Sequence, residues 1–192
     1  VCDMSSDIFS RRVNVADFDL IYAGAQKNMG PAGATLVIVK DEILGKTGRD
    51  IPAYLDYSTH IGKESMFNTP PVFAIYVSML TLEWLKDLGG VEAIEKINHQ
   101  KADLIYSEMD RNSLFEGTAV KEDRSNMNAC FLLKDEAAHK ETFDKMWKDA
   151  GISGINGHRS VGGYRASMYN ALPLESVQTL VDVMQQLEKD NG

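Results

Sequence analysis

The sequence predicts an α/β protein in two parts, residues 1–88 and 89–192, on three observations. Short apolar runs bounded by Gly and Pro, "DLIYAG" at 19–24 and "ATLVIVK" at 34–40, read as buried strands. From Pro70 onward the apolar residues switch to a helical period. After Gly89-Gly90, helical and strand-like patterns follow one another as helix, strand, helix, loop, strand, helix, the order expected of helices covering one sheet.

The opening stretch, "VCDMSSDIFSRR", carries no initial methionine and reads as the end of a buried strand running into a polar loop. A domain that began mid-strand would leave an unpaired edge, so the expectation is the C-terminal part of something longer. "GPAG" at 30–33 forms a turn between the two strands, and 41–69 is an irregular polar loop long enough to be functional. The helix expected over 70–88 carries Val72, Phe73, Ile75, Tyr76, Met79, Leu80, Leu82, Leu85 and Leu88, enough to be buried on more than one side. Thr69 is placed to cap it, Pro70 suits its first position, and Gly89-Gly90 ends it. A helix over 91–111 has Ile94, Ile97, Ala102, Ile105 and Met109 on one stripe. A strand at 128–134 follows, then a helix over 137–149 with Phe143, Met146 and Trp147 inward. "YRASMY" at 164–169 alternates as a strand, and the last helix starts near Pro173 and buries Leu174, Val177, Leu180, Val181, Met184 and Leu187.

Acidic residues outnumber basic ones by 28 to 20, so no overall field favours nucleic acid or an anionic membrane, and any anion must be held by a local cluster. Cys2 and Cys130 match no metal spacing or CxxC pattern and read as buried, reduced thiols of a cytoplasmic protein. No apolar run approaches the roughly 18–20 residues that span a membrane, and no signal peptide is visible.

Four places could carry chemistry. Lys27 lies directly after an apolar strand among Gly24, Ala25, Gly30, Ala32 and Gly33, short residues that permit close approach at a sheet edge, with Gln26 as an uncharged donor beside it. A lysine kept partly desolvated there is a candidate amine nucleophile toward a carbonyl, against the plainer reading of a solvated loop lysine. Pyridoxal phosphate is the cofactor such a lysine points to, and it needs an acid against its pyridine nitrogen. Asp3 is the candidate, although Asp before Ser-Ser is also a common turn residue; Asp7 lies further into the loop. Asn68 and Thr69 in "FNTPP" stand at a helix start, where free N–H groups favour a phosphate or simply receive a cap. His158, Arg159 and Arg165 in "GHRSVGGYRAS" form a local basic cluster suited to an anionic substrate, unless nearby acids pair with them. His60, His99 and His139 have no partner spacing and are expected at the surface.

"DMSSDIFSR", "IYAGAQKNMGPAG", "MFNTPP", "HRSVGGYRAS" and "YNALPLE" follow one another in an order that resembles the C-terminal half of the phosphoserine aminotransferases. These are pyridoxal phosphate enzymes of fold type I within the class-V aminotransferases. The resemblance implies that 1–88 is the C-terminal portion of the large cofactor-binding domain and 89–192 the complete small domain, with the family's first half lacking a counterpart. It further implies a Schiff base on Lys27, which also moves the proton between substrate and cofactor, Asp3 on the pyridine nitrogen and Gln26 on the cofactor phosphate. Asn68 and Thr69 are implied to reach the cofactor phosphate of a neighbouring subunit in a homodimer, and His158, Arg159 and Arg165 to hold the substrate's phosphate and carboxylate. The implied reaction passes an amino group from glutamate to 3-phosphooxypyruvate in the cytoplasm, with the phosphohydroxythreonine step of vitamin B6 synthesis as a second activity. The alternative is a catalytically silent fragment that acts only as a folded or dimerising module.

Overall fold

The computed structural model describes residues 1–191, and they fall into two units, Val1–Val91 and the residues from Glu92 onward. In the first, strand β1 (Cys2–Asp3) lies parallel to β2 (Leu20–Gly24), and β2 pairs antiparallel with β3 (Thr35–Val39), giving the sheet order β1-β2-β3. Met4, Ile8, Ile21, Ala23, Ala25 and Met29 form its core. The strands are less buried than their apolar runs imply: β3 is half-buried along most of its length, and β1 is an edge strand.

The stretch 41–69 is not wholly irregular. It holds two 3₁₀ turns, Asp41–Ile43 and Ala53–Leu55, and the short helix α1 (Tyr57–Ile61), which Asp56 caps by accepting from the Ser58 N–H at 3.0 Å. Helix α2 runs over Val72–Asp87, two residues later than expected, with Pro71 rather than Thr69 at its N-cap and no side-chain cap. The second proline is the cause: a residue before proline is driven to extended backbone, so Pro70 cannot be helical and Thr69 is too distant to cap. Helix α2 also covers only one line of its surface. Ala74 and Leu85 are buried and Ser78 is half-buried, whereas Val72, Phe73, Ile75, Tyr76, Met79 and Leu80 are exposed. The covered line is the small-residue line, because the turn after β2 comes in close. A Cβ on Gly33 would sit 3.3 Å from that of Ala74, and one on Gly30 would sit 3.2 Å from the Ser78 backbone.

In the second unit, β4 (Phe115–Gly117), β5 (Asn128–Leu133) and β6 (Tyr164–Ser167) form an antiparallel sheet in that order. It packs with α3 (Gly90–Arg111), α4 (Glu136–Asp149) and α5 (Leu174–Asn191). Strand β5 buries alternate residues, Ala129, Phe131 and Leu133. Phe131 stacks on Tyr164, and Phe143 meets that ring edge-on. The expected helices fall close to their places, although Ile97 and Leu174 are only half-buried. Two features lie outside the sequence reading. Strand β4 is three residues long, too short to show a period. Lys101 is fully buried on α3, where its Nζ donates to the carbonyls of Met168, Tyr169 and Leu172.

Candidate active site

Asp3 ends β1, and Lys27 lies three residues beyond Gly24, the end of the parallel neighbour β2. Both therefore stand at the carboxyl ends of adjacent parallel strands, the position where open α/β sheets form ligand sites. The turn carrying Lys27 is tightly wound: the Ala25 carbonyl accepts from the N–H groups of Met29 at 3.1 Å and Gly30 at 2.8 Å. Buried Asn28 fastens it to the segment after β1, donating to the carbonyls of Ser6 at 3.1 Å and Ile8 at 3.0 Å. The Gln26 amide folds back over Gly24, where a Cβ would come within 2.5 Å of it. The small residues of this turn thus serve packing against α2 and under Gln26. Lys27 itself is exposed, so these residues do not supply the desolvation expected of it.

Asp3 has a defined electrostatic setting. Its Oδ1 accepts from the Ser5 N–H at 2.8 Å, the turn contact its sequence allows, and Tyr22 is its cross-strand neighbour. The Ser5 side chain and backbone, followed by Tyr22 and the Lys27 charge, hold the Asp3 carboxyl below the ordinary carboxylate range. The same contact pushes the Tyr22 hydroxyl up. Asp7 is committed elsewhere, accepting from Ser10 Oγ at 2.6 Å and pairing with Arg11 at 2.8 Å. Ser5 and Tyr22 were not singled out in the sequence. Ser5 had a legible signal, an Asp followed two residues later by an N–H donor in "DMS", whereas Tyr22 reaches Asp3 only through strand register.

Asn68 and Thr69 are exposed, and the Asn68 amide donates to the Thr69 carbonyl at 3.2 Å. In the second unit, a loop presents His158 and Arg159 and returns into β6, which carries Arg165. The loop closes through Gly157 N–H donating to the Gly163 carbonyl at 2.8 Å. Gly163 has φ 63°, and a Cβ there would lie 2.4 Å from the Leu132 side chain, so only glycine fits. All three basic side chains are exposed, and among the described residues neither Arg159 nor Arg165 forms an ion pair, which removes the reading of arginines paired with nearby acids. The Ser160 N–H and hydroxyl both lie against His158 Nδ1, at 3.3 and 2.7 Å.

Several minor expectations change. Cys2 and Cys130 are unpaired but half-buried. His60 is not a free surface residue: it is half-buried, its Nε2 lies 2.7 Å from the Tyr54 carbonyl, and its ring sits edge-on to Tyr54 and Phe67. His139 is likewise half-buried. Among the described residues no group of three or more His, Cys, Asp or Glu side chains could hold a metal ion, and no helix is long and apolar enough to cross a membrane.

Residues 1–180 match the family model for aminotransferase class-V. The chain belongs to that family. It is 74% identical over 188 residues to a phosphoserine aminotransferase of Flavobacterium psychrophilum and 58% identical over 189 residues to one of Porphyromonas gingivalis. Each match takes in 98% of this chain and 52% of the relative, so the chain spans about half the length of the curated relatives it matches. Its fold superposes on phosphoserine aminotransferase from Bacillus circulans subsp. alkalophilus with a TM-score of 0.92 at 43% identity, covering 99% of this chain and 53% of that one. The PLP-bound phosphoserine aminotransferase of Trichomonas vaginalis gives a TM-score of 0.88 at 36% identity, covering 95% of this chain and 52% of that one. The α/β architecture expected from the sequence is thus that of the C-terminal half of a phosphoserine aminotransferase.

Proposed function

We propose that the chain forms the lysine-bearing part of an enzyme that moves an amino group from glutamate to 3-phosphooxypyruvate, giving 2-oxoglutarate and O-phosphoserine. The phosphohydroxythreonine step of vitamin B6 synthesis is a second activity of the same site. In this reading the first unit is the C-terminal portion of the cofactor-binding domain and the second is the small domain. The observation that carries the reading is the placement of an ionised Asp3 within charge range of Lys27 at the ends of parallel strands.

These residues suit pyridoxal 5'-phosphate: a carboxylate held in its charged form, an amine without a competing ion pair, and a neutral amide donor beside it. When bound, that cofactor supplies an electron sink that makes the substrate's α-proton removable. Asp3, a carboxylate held in its charged form, would face the pyridine nitrogen and keep its proton in place. Lys27 would be the residue that holds the cofactor covalently, and its amine would serve as the base that moves the substrate's α-proton. Gln26 would donate to the cofactor phosphate, and the exposed Asn68 and Thr69 would reach the phosphate of a neighbouring subunit in a homodimer. Arg159, Arg165 and His158, free of acidic partners, hold the substrate's phosphate and carboxylate. Two unpaired cysteines agree with a cytoplasmic setting.

Reduction with borohydride after loading with the cofactor should label Lys27 in a peptide map, and turnover should require both glutamate and 3-phosphooxypyruvate. An unlabelled Lys27 would refute the assignment. The exposure of Lys27 favours a second reading for the 192 residues taken alone, a folded module that binds cofactor weakly and turns over nothing. Labelling without turnover by that chain alone, and turnover by a longer one, separates the two.

A further inference from the structure

We propose that Ser5 is a positioning residue, a relay of contacts that ties the Asp3 carboxylate, through the Ser5 backbone N–H and Oγ, to the strand end that leads to Lys27. The inference rests on the cofactor reading above. Ser5 is half-buried, and two of its groups are engaged in different directions. Its backbone N–H donates to Asp3 Oδ1 at 2.8 Å, and its Oγ accepts from the Gly24 N–H at 3.0 Å, across nineteen residues of sequence. The chain of contacts therefore runs from the Gly24 N–H to Ser5 Oγ and, through the Ser5 backbone N–H, to the Asp3 carboxylate.

Gly24 is the last residue of β2, and only Ala25 and Gln26 separate it from Lys27. On the far side of Lys27, Asn28 is tied to the Ser6 and Ile8 carbonyls. The lysine is therefore bracketed by two links to the segment 3–8, one before it and one after it. Only the first passes through a residue that also holds the Asp3 carboxylate. A site of this kind needs its groups held within about 0.5 Å, and strand pairing two residues long cannot do that alone. The relay steadies the N–H contact that Asp3 accepts and keeps its turn against the strand end that leads to Lys27.

The groups facing Asp3 are Ser5 on its own turn, Tyr22 from β2 and the Lys27 ammonium from the turn after β2. Ser5→Ala removes the anchor to Gly24, so the turn that aims the Ser5 N–H at Asp3 loosens, while Tyr22 and Lys27 stay in place. In the cofactor-free protein, the Asp3 carboxyl carbon resonance, assigned with Asp3→Asn, is followed against pH together with hydrogen exchange at the Gly24 amide. Ser5→Ala should move the Asp3 midpoint upward and speed Gly24 exchange about fivefold, the net worth of one hydrogen bond. Ser5→Thr, which keeps the hydroxyl, should restore both. Unchanged Asp3 titration and Gly24 exchange in Ser5→Ala would overturn the relay, as would failure of threonine to restore them. Borohydride labelling of wild-type Lys27 is read in parallel. No label overturns the relay's cofactor role, whereas a labelled Lys27 with an unmoved Asp3 overturns the relay alone.

Discussion

Lys101→Met exchanges a fully buried ammonium for an apolar side chain of similar length, and the structure sets two opposing consequences. The three N–H groups of Lys101 Nζ match three carbonyl oxygens, those of Met168 and Tyr169 at 3.0 Å and Leu172 at 3.1 Å. Methionine removes all three bonds and leaves the Met168 and Leu172 carbonyls without them, at roughly 1–3 kcal/mol for each buried acceptor. The Tyr169 carbonyl still accepts from the Leu172 N–H at 2.9 Å. Against this, burial pushes the Lys101 amine down from its ordinary 10.5 to about 8, so carrying the charge into the folded state costs about 3 kcal/mol at neutral pH. The lost hydrogen bonds match or outweigh the relief, and the variant should be less stable by up to about 3 kcal/mol at pH 7. The pH dependence is the sharper reading. Between pH 8 and 10.5 the folded protein has shed a proton that the unfolded chain still binds, so wild-type stability rises with pH across that window. The variant lacks this contribution, and the gap between them should widen by about 3 kcal/mol, with other titrating groups cancelling in the difference. Urea unfolding of both proteins at several pH values measures it. A gap constant from pH 8 to 10.5 would refute the reasoning, because it would mean that the three carbonyls fully offset the burial and the amine keeps its ordinary proton affinity.

Lys27→Ala should abolish transamination in the loaded enzyme, since covalent attachment and the proton transfer depend on one amine; near-normal turnover would remove Lys27 from the site. Arg165→Ala should raise KM for the phosphorylated substrate about 10–100-fold through loss of charge-assisted hydrogen bonds worth about 1.5–3 kcal/mol, and unchanged saturation would mean that β6 does not face the substrate. Gly163→Ala should destabilise the protein by at least about 1–3 kcal/mol, because the residue is left-handed at φ 63° and its new Cβ would press on Leu132 and the Phe131 carbonyl; thermal unfolding reads this directly.

The parts of the fold that were legible are those whose own residues decide their environment. Helix α5 buries Val177, Leu180, Val181, Met184 and Leu187 as its period requires, and β5 alternates as a half-buried strand should. Helix α2 departs from its expectation because large apolar residues over most of its surface predict burial on more than one side. Within these residues the neighbour of α2 is a glycine-rich turn, which packs only where the helix offers Ala74 and Ser78, so the large residues remain outside. Its start was misplaced for a purely local reason, the effect of Pro71 on Pro70, which the "TPP" string already contained. Strand β4 and the Lys101 cluster were beyond reach, the first for want of length and the second because a buried lysine carries no mark of burial in sequence.

The candidate site divides along the same line. Lys27, Asp3 and Ser5 lie on two short segments, and each could be suspected from its neighbours. What the string could not contain is the register that sets Asp3 opposite Tyr22 and lets Gly24 reach Ser5 across nineteen residues. That register matters more than either residue's identity. Asp3 in its own turn is an ordinary Asx residue, and Lys27 alone is an exposed loop lysine. Parallel pairing of β1 with β2 brings both to the same edge of the sheet, and the Ser5 contact holds them there. A one-residue slip of β1 would send Asp3 to the opposite face of the sheet and break the Ser5–Gly24 bond, while leaving every motif in the sequence intact. Chemistry at this edge is therefore a property of the pairing, and disturbing β1 should impair the site as surely as removing the lysine.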